Sequence, residues 1–498
     1  MLKPLAALCL AAAPAAAQSV TTYHNAISRA GAYIVPGLTQ AAAPRLHRDT
    51  SFNGTVTGNI YAQPLYWKPT AASPGRIIVA TESNHVEALD ATSGAKIWQT
   101  QLPAPAPLAA LGCGNINPEG ITGTPAIDPS GSGTIYLDAV TDTPPDGVRH
   151  KIYALSATTG KILPNWPLDI QAALLARGIP FDSTIQGQRS AALFLNGQLY
   201  ISYGGRSGDC GDYHGTVVQI KTTTQSLAAI WATRAARGGI WAQGGAASDG
   251  TSLFVTTGNT SGATSWGDGE AIIRLAPGLA HSTAPADFFT PANWQILDDD
   301  DADLGGTEAL PITVPLTPAS PSTPGAPRLL AFGKDGNAYL VNRASLGGIG
   351  GALAISQIAN GPIITAPAVY STPATTMVAL RNPSGLHCPG SSLSMLTITA
   401  SPTKPVTETW CAGLNGAGAP IITTTDGTAN PIVWIAGAEG DNQLHGFNAL
   451  TGKPLVTGTA PAETMAGLRH FVTILAANSR LYIAATNKIY AFTFTPAP

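Results

Sequence analysis

The side chains suited to proton transfer or to holding a charged ligand fall mostly in turns and just ahead of strand-like runs. They are Glu82, Asn84, His85, Arg189, Asn259, Trp266, Asp303, Glu308, Lys334, Asp335, Arg469 and His470. Amide and carboxylate oxygens such as those of Asn259 and Asp303 suit a hard divalent cation. A carboxylate or an imidazole, with Asp303 and His85 as examples, suits a general base. Arg189 and Lys334 bring positive charge to an anionic ligand, and Trp266 brings a flat apolar face. Each position also has a plainer reading. Asn259 follows Gly258 in a turn, Lys334-Asp335-Gly336 makes a two-strand turn, Asp298–Asp303 is a solvated acidic loop, and His85 and His470 hydrogen-bond their own loops. The chain has no serine elbow, Walker loop or His-Glu-x-x-His motif. That disfavours those hydrolases and leaves open a carbohydrate-acting lyase using His or Tyr.

The elements that must position these groups are short strands. Within Gly75–Leu102, two β-branched runs (Arg76–Thr81 and Val86–Leu89) are split by the turn Glu82–His85, and a tight Ala91–Gly94 turn leads to a third run holding Trp98. That is an antiparallel meander. Its second strand recurs at Thr134–Ala139, Gln198–Tyr203, Ser252–Thr257, Arg328–Gly333, Met377–Asn382, Ile432–Gly437 and Arg480–Ala485. The strand before it and the strand after it recur in step, giving eight units at a spacing of roughly 50–65 residues, slightly above the usual blade period. One meander cannot bury both faces of its sheet, but a ring of them can. The reading is all-β: an eight-bladed β-propeller of four-stranded antiparallel blades. Trp98, Trp231 and Trp410, on outer strands, are expected as wedges between blades, each indole N–H meeting a neighbouring carbonyl. Thr21–Gly58 is expected to supply the outer strand of the last blade, Pro311–Pro327 to be a long loop, and Ile170–Arg177 to be a short helix.

Composition agrees. With 11% charged residues, 54 Gly and 40 Pro in 498 residues, the chain suits many strands and turns better than long helices. Lys3, the apolar run Leu5–Ala13 and Ala15-Ala16-Ala17 read as a secretory signal cleaved after Ala17, with residues 18–498 forming one propeller domain. Leu8 is a poor neighbour for a lipidated Cys9. No later stretch is apolar for the ~18 residues of a membrane span, so the expected location is periplasmic or secreted. Four cysteines follow the signal, Cys113, Cys210, Cys388 and Cys411, and an even number in an oxidising compartment favours two disulfides. Their placement in connections on one face points to Cys113–Cys210 and Cys388–Cys411. A net charge of −3 with no basic cluster makes nucleic acid a poor partner.

The turns at Ala88–Trp98 (ALDATSGAKIW) and Gly446–Pro454 (GFNALTGKP) resemble the Trp-docking repeat of pyrroloquinoline quinone (PQQ) propellers. The match spans nearly the whole mature chain, with good copies in units one, two and seven. That superfamily includes quinoprotein dehydrogenases and cofactor-free scaffolds such as the outer-membrane assembly lipoprotein. Three stretches look more specifically like quinoprotein alcohol dehydrogenases. Thr256-Thr257-Gly258-Asn259 resembles the segment whose Asn ligates Ca2+; Gly333–Arg343 resembles the segment whose Lys contacts the quinone; Asp303 falls where the catalytic Asp stands. The resemblance implies Ca2+ on Asn259 and Asp303, Asp303 as base and Lys334 on the quinone; among the polar and aromatic groups expected at the funnel, Arg189, Trp266, Glu82 and His85 are the further candidates to hold PQQ. The vicinal Cys-Cys that packs on the quinone, an aligned Glu ligand and a cytochrome domain are all missing. Three functions follow as alternatives: an oxidoreductase acting on a small alcohol or sugar, a scaffold binding protein or glycan at the propeller face, and a lyase.

Overall fold

The computed structural model describes residues 19–316, 325–458 and 463–494; the expected signal segment lies outside them. Eight small sheets, five of four strands and three of five, each carry a four-stranded antiparallel blade, and together they make an eight-bladed β-propeller. Blade one is Leu65–Trp67, Arg76–Ala80, His85–Asp90 and Lys96–Gln101, paired antiparallel throughout. Its second and third strands are buried along nearly their whole length, whereas the outer strand alternates between exposed and half-buried. A neighbouring blade covers each face of the inner strands, so they need apolar residues on both sides.

Two of the three expected Trp wedges meet a neighbouring carbonyl, whereas Trp231 lies edge-on to His281, ring centres 5.8 Å apart. Trp98 donates its indole N–H to Ala157 O of blade two at 3.3 Å, and Trp410 of blade six donates to Ala449 O of blade seven at 2.8 Å. Each ring lies against the glycine that closes the receiving turn. A Cβ on Gly160 or Gly452 would stand 2.7 Å from Cδ2 of the Trp, and both glycines have φ +71°. Asp90 and Asn448 hold their turns by accepting backbone N–H groups two and three residues on, an Asx turn.

The ring closes where blade eight (Ile474–Ala477, Arg480–Ala485, Lys488–Thr493) takes His47–Arg48 as its fourth strand, as expected of the N-terminal segment. Tyr482 then donates to Ala91 O of blade one at 2.6 Å. The residues before that strand do something the sequence does not announce: they thread the central channel. Val20 bridges Tyr66 in blade one, Thr21 O accepts from Ile127 in blade two, and Ile27 O accepts from Ser248 in blade four. Ala30 O and Gly31 O accept from Val369 and Ile422, and Ala32–Ile34 lies parallel on Ile421–Thr424 of blade seven. Inner strands expose their axial edge groups, and this segment satisfies them.

Two local expectations change. Leu310–Val314 and Ala326–Phe332 pair in register, so the two ends of Pro311–Pro327 are strand, while residues 317–324 lie outside the described residues. A six-residue helix, Trp294–Asp299, reaches into the acidic run; Asp298 and Asp303 are buried while Asp299–Asp301 stay exposed. The helix near residue 170 is present as Ile170–Leu175, capped by Asp169.

Candidate functional site

One mouth of the channel opens into a cavity of about 440 Å3. It is lined by residues at the starts of inner strands and in the connections between second and third strands, among them Arg189, Trp241, Asn259, Asp303, Lys334 and Arg381. Tyr23 of the N-terminal segment lines a smaller adjoining hollow that shares Asn115, Arg189, His470 and Phe471.

Asp303 is the best-anchored group. Its Oδ1 accepts the Asn259 backbone N–H at 2.9 Å. Its Oδ2 accepts the Trp241 indole N–H at 3.1 Å and pairs with Lys334 Nζ at 2.7 Å. Lys334 also reaches Asp301 Oδ1 at 2.7 Å, and its ammonium lies 5.3 Å from the Trp241 ring centre. Blades four and five thus deliver this cluster from separate connections. A Cβ on Gly258 would sit 2.8 Å from Asp303 Oδ1, so the glycine lets the carboxylate seat on the loop. Burial pushes the Asp303 carboxyl above the ordinary range, with Lys334 and the Asn259 N–H pulling it back. Burial alone would lower the Lys334 ammonium, but Asp303 and Asp301 outweigh it and hold it above its usual value.

Around this cluster stand further cations. Arg189 Nη2 donates to Asn115 Oδ1 at 3.0 Å, and Arg381 Nε donates to Gly416 O at 2.7 Å. Arg206 makes a two-pronged pair with Glu119, both distances 3.0 Å. Asp209 accepts from Tyr213 OH at 2.6 Å. His470 lines the cavity and meets Glu439 at 2.9 Å. The disulfide Cys113–Cys210 ties the connection before blade two to this rim. Cys388–Cys411 joins a blade-six loop to that blade's outer strand, away from the lining.

Of the positions singled out in the sequence, Arg189, Asn259, Asp303 and Lys334 line the cavity together. Trp266, Glu82 and His85 do not. Trp266 stacks on Phe288 at 3.9 Å between ring centres, donates to Gly269 O and carries Arg234 over its ring. Its place beside the ligand space is taken by Trp241, shortly ahead of the blade-four inner strand that starts at Ala247. His85 begins a strand and hydrogen-bonds Gln99 at 2.6 Å. Glu82 is buried and accepts the Gly120 N–H at 2.7 Å, and burial drives its carboxyl up to about 8. Asn84 donates to Pro103 O and Val140 O. Asp335 holds Asn337 and Tyr339, and Arg469 holds Asn59 and Thr486. Glu308 sits fully buried near Arg29 with its carboxyl raised to about 7 by burial. The sequence reading missed Trp241 and Arg381, which stand beside strand starts and ends but carry no motif.

The two groups that the sequence resemblance implies make different demands on these donors. A tricarboxylated planar quinone finds guanidinium groups at Arg189 and Arg381, an ammonium at Lys334 and an indole at Trp241, in a cavity of adequate volume. Those residues fit it. A calcium ion wants six to eight oxygens, whereas both Asp303 oxygens and one Asp301 oxygen are already engaged by protein donors. Among the described residues, the only three metal-competent side chains clustered within 4.8 Å are Cys388, Glu408 and Cys411, two of them joined in a disulfide. The cavity donors do not fit calcium.

Fold and cavity together define an eight-bladed propeller with an axial cavity. No family model and no curated protein matches the chain. Among solved structures, quinohemoprotein alcohol dehydrogenase ADHIIG from Pseudomonas putida HK5 aligns over 96% of this chain and 81% of its own, at TM-score 0.62 and 15% identity. A europium-containing methanol dehydrogenase aligns over 95% and 90%, at 0.61 and 14%. BamB from Moraxella catarrhalis aligns over 91% and 99%, at 0.50 and 15%. The chain therefore has the propeller fold of the quinoprotein alcohol dehydrogenases, and identities this low speak to fold alone.

Proposed function

We propose that this chain is an exported oxidoreductase of the quinoprotein kind, holding PQQ in the axial cavity and oxidising a small alcohol or sugar. The observation that carries the reading is the convergence of Asp303, Lys334, Asn259 and Trp241 on that cavity from separate connections. Bound quinone supplies a two-electron oxidant. Arg189 and Arg381 would bind its carboxylates through N–H groups not used within the described residues. Trp241 would cover one face. Asp303, held by Asn259 N–H and Trp241, accepts the substrate hydroxyl proton, its raised pKa making it a better base than a solvated Asp. Lys334 fixes the carboxylate and offsets negative charge developing on the substrate oxygen. Two disulfides fit an oxidising compartment, and among the described residues no helix is long and apolar enough to cross a membrane.

A second reading, a non-catalytic binder of an anionic ligand or partner at the same mouth, draws support from the full engagement of Asp303. One assay separates them: load the purified protein with PQQ, then follow dye reduction over a panel of alcohols and sugars. The oxidoreductase reading expects uptake and turnover, with Asp303→Asn keeping the uptake and losing about 100-fold or more in kcat. Uptake without turnover on any substrate supports the binder. No uptake at micromolar PQQ retires the dehydrogenase.

A further inference from the structure

We propose that the axial cavity takes its planar polycarboxylate ligand without a divalent cation, because Lys334 fills the place where a metal would bridge the two acidic side chains. The inference rests on the proposed binding of PQQ and deepens it. Lys334 Nζ lies 2.7 Å from an oxygen of Asp303 and 2.7 Å from an oxygen of Asp301, the contacts a bridging cation would make. That same Asp303 oxygen also accepts the Trp241 indole, and the other accepts the Asn259 backbone N–H, so both carboxylate oxygens are engaged by protein donors. Asn259 gives its backbone N–H to Asp303 and its side-chain N–H to Ser261 Oγ at 3.2 Å, so it could offer a metal only its one side-chain oxygen, against the six to eight oxygens calcium wants. A metal entering here would have to displace an ammonium rather than fill a ring of oxygens.

The charge such a metal would bring is supplied by side chains. Arg206 is spent on Glu119 and Lys334 on two aspartates, but Arg189 and Arg381 each use one N–H group within the described residues and keep the others for a ligand. Both line the cavity, as does His470. Guanidinium forks match carboxylates in pairs of hydrogen bonds, which a metal ion does not do. The cavity is therefore a cationic clamp for a flat di- or tricarboxylate.

The test is a PQQ titration of metal-stripped protein, followed by tryptophan quenching, once with chelator and once with millimolar Ca2+. Wild type and Lys334→Met are compared, with far-ultraviolet circular dichroism and a melting curve as controls on folding. Expected are dissociation constants equal with chelator and with Ca2+ to within about twofold, and weakening of about tenfold or more in a folded Lys334→Met. Binding that appears only with Ca2+ overturns the inference and leaves the proposed function standing. Metal-independent binding that Lys334→Met leaves unchanged also overturns it. No binding in either condition removes the proposed function, and this inference falls with it.

Discussion

Gly160 offers a quantitative test of how the blades are held together. It lies at φ +71°, and a Cβ there would meet the Trp98 ring at 2.7 Å from Cδ2 and closer still to Cε3. Gly131 has nearly the same backbone, φ +59°, but a methyl there would meet nothing within 4 Å. Alanine at Gly131 therefore bears only the left-handed backbone cost, about 1 kcal/mol. Alanine at Gly160 bears that cost plus overpacking against the indole, roughly 1–3 kcal/mol more, for about 3 kcal/mol in all. Urea unfolding of both variants gives the difference, provided fluorescence and circular dichroism transitions coincide. Adding Trp98→Ala removes the clash, so the pair Trp98→Ala/Gly160→Ala is expected to be less destabilised than the sum of the singles by about 1 kcal/mol or more. Equal losses at Gly131 and Gly160, or strict additivity with Trp98→Ala, would refute the docking of indole on turn.

Two further outcomes follow from buried charge. Glu82 has a folded pKa near 8 against a usual value of 4.5, so the unfolded chain loses its proton first as pH rises. Its contribution to stability is then fully present below pH 4.5 and is lost between pH 4.5 and 8, by on the order of 5 kcal/mol; Glu82→Gln should flatten that part of the urea-midpoint profile while keeping the acceptor for Gly120. Arg29, fully buried in the channel, donates to Thr22, Ala192 and Ala246 and faces Glu308. Arg29→Met should cost about 3–5 kcal/mol at neutral pH in the same urea assay, and Glu308→Gln in the same chain should recover part of it.

The propeller was legible because its signal is repeated. Eight second strands, most of them buried nearly throughout, and turns such as Asp90–Gly94 leave a periodic trace that survives poor copies. The outer strand of the last blade, His47–Arg48, falls within the N-terminal segment expected to supply it. The axial threading by Val20–Ile34 was not legible, because it is held mainly by backbone groups and bears no residue pattern. At the cavity, Asn259, Asp303 and Lys334 were found through a local motif or an acidic run. Trp266 and Trp241 show where such reading stops: both follow glycine-containing turns, and only the path of the chain decides which indole faces the axis. Glu82 and His85 occupy a second-to-third-strand turn, yet the Gly120 N–H and Gln99 claim them.

The most direct test of the central claim is a crystal structure of the metal-stripped protein grown with PQQ. The expected result is one planar ligand in the axial cavity, a face on Trp241, carboxylates on Arg189 and Arg381, and Lys334 still bridging Asp301 and Asp303. A cavity holding only solvent at saturating quinone, or quinone bound elsewhere on the ring, would contradict it.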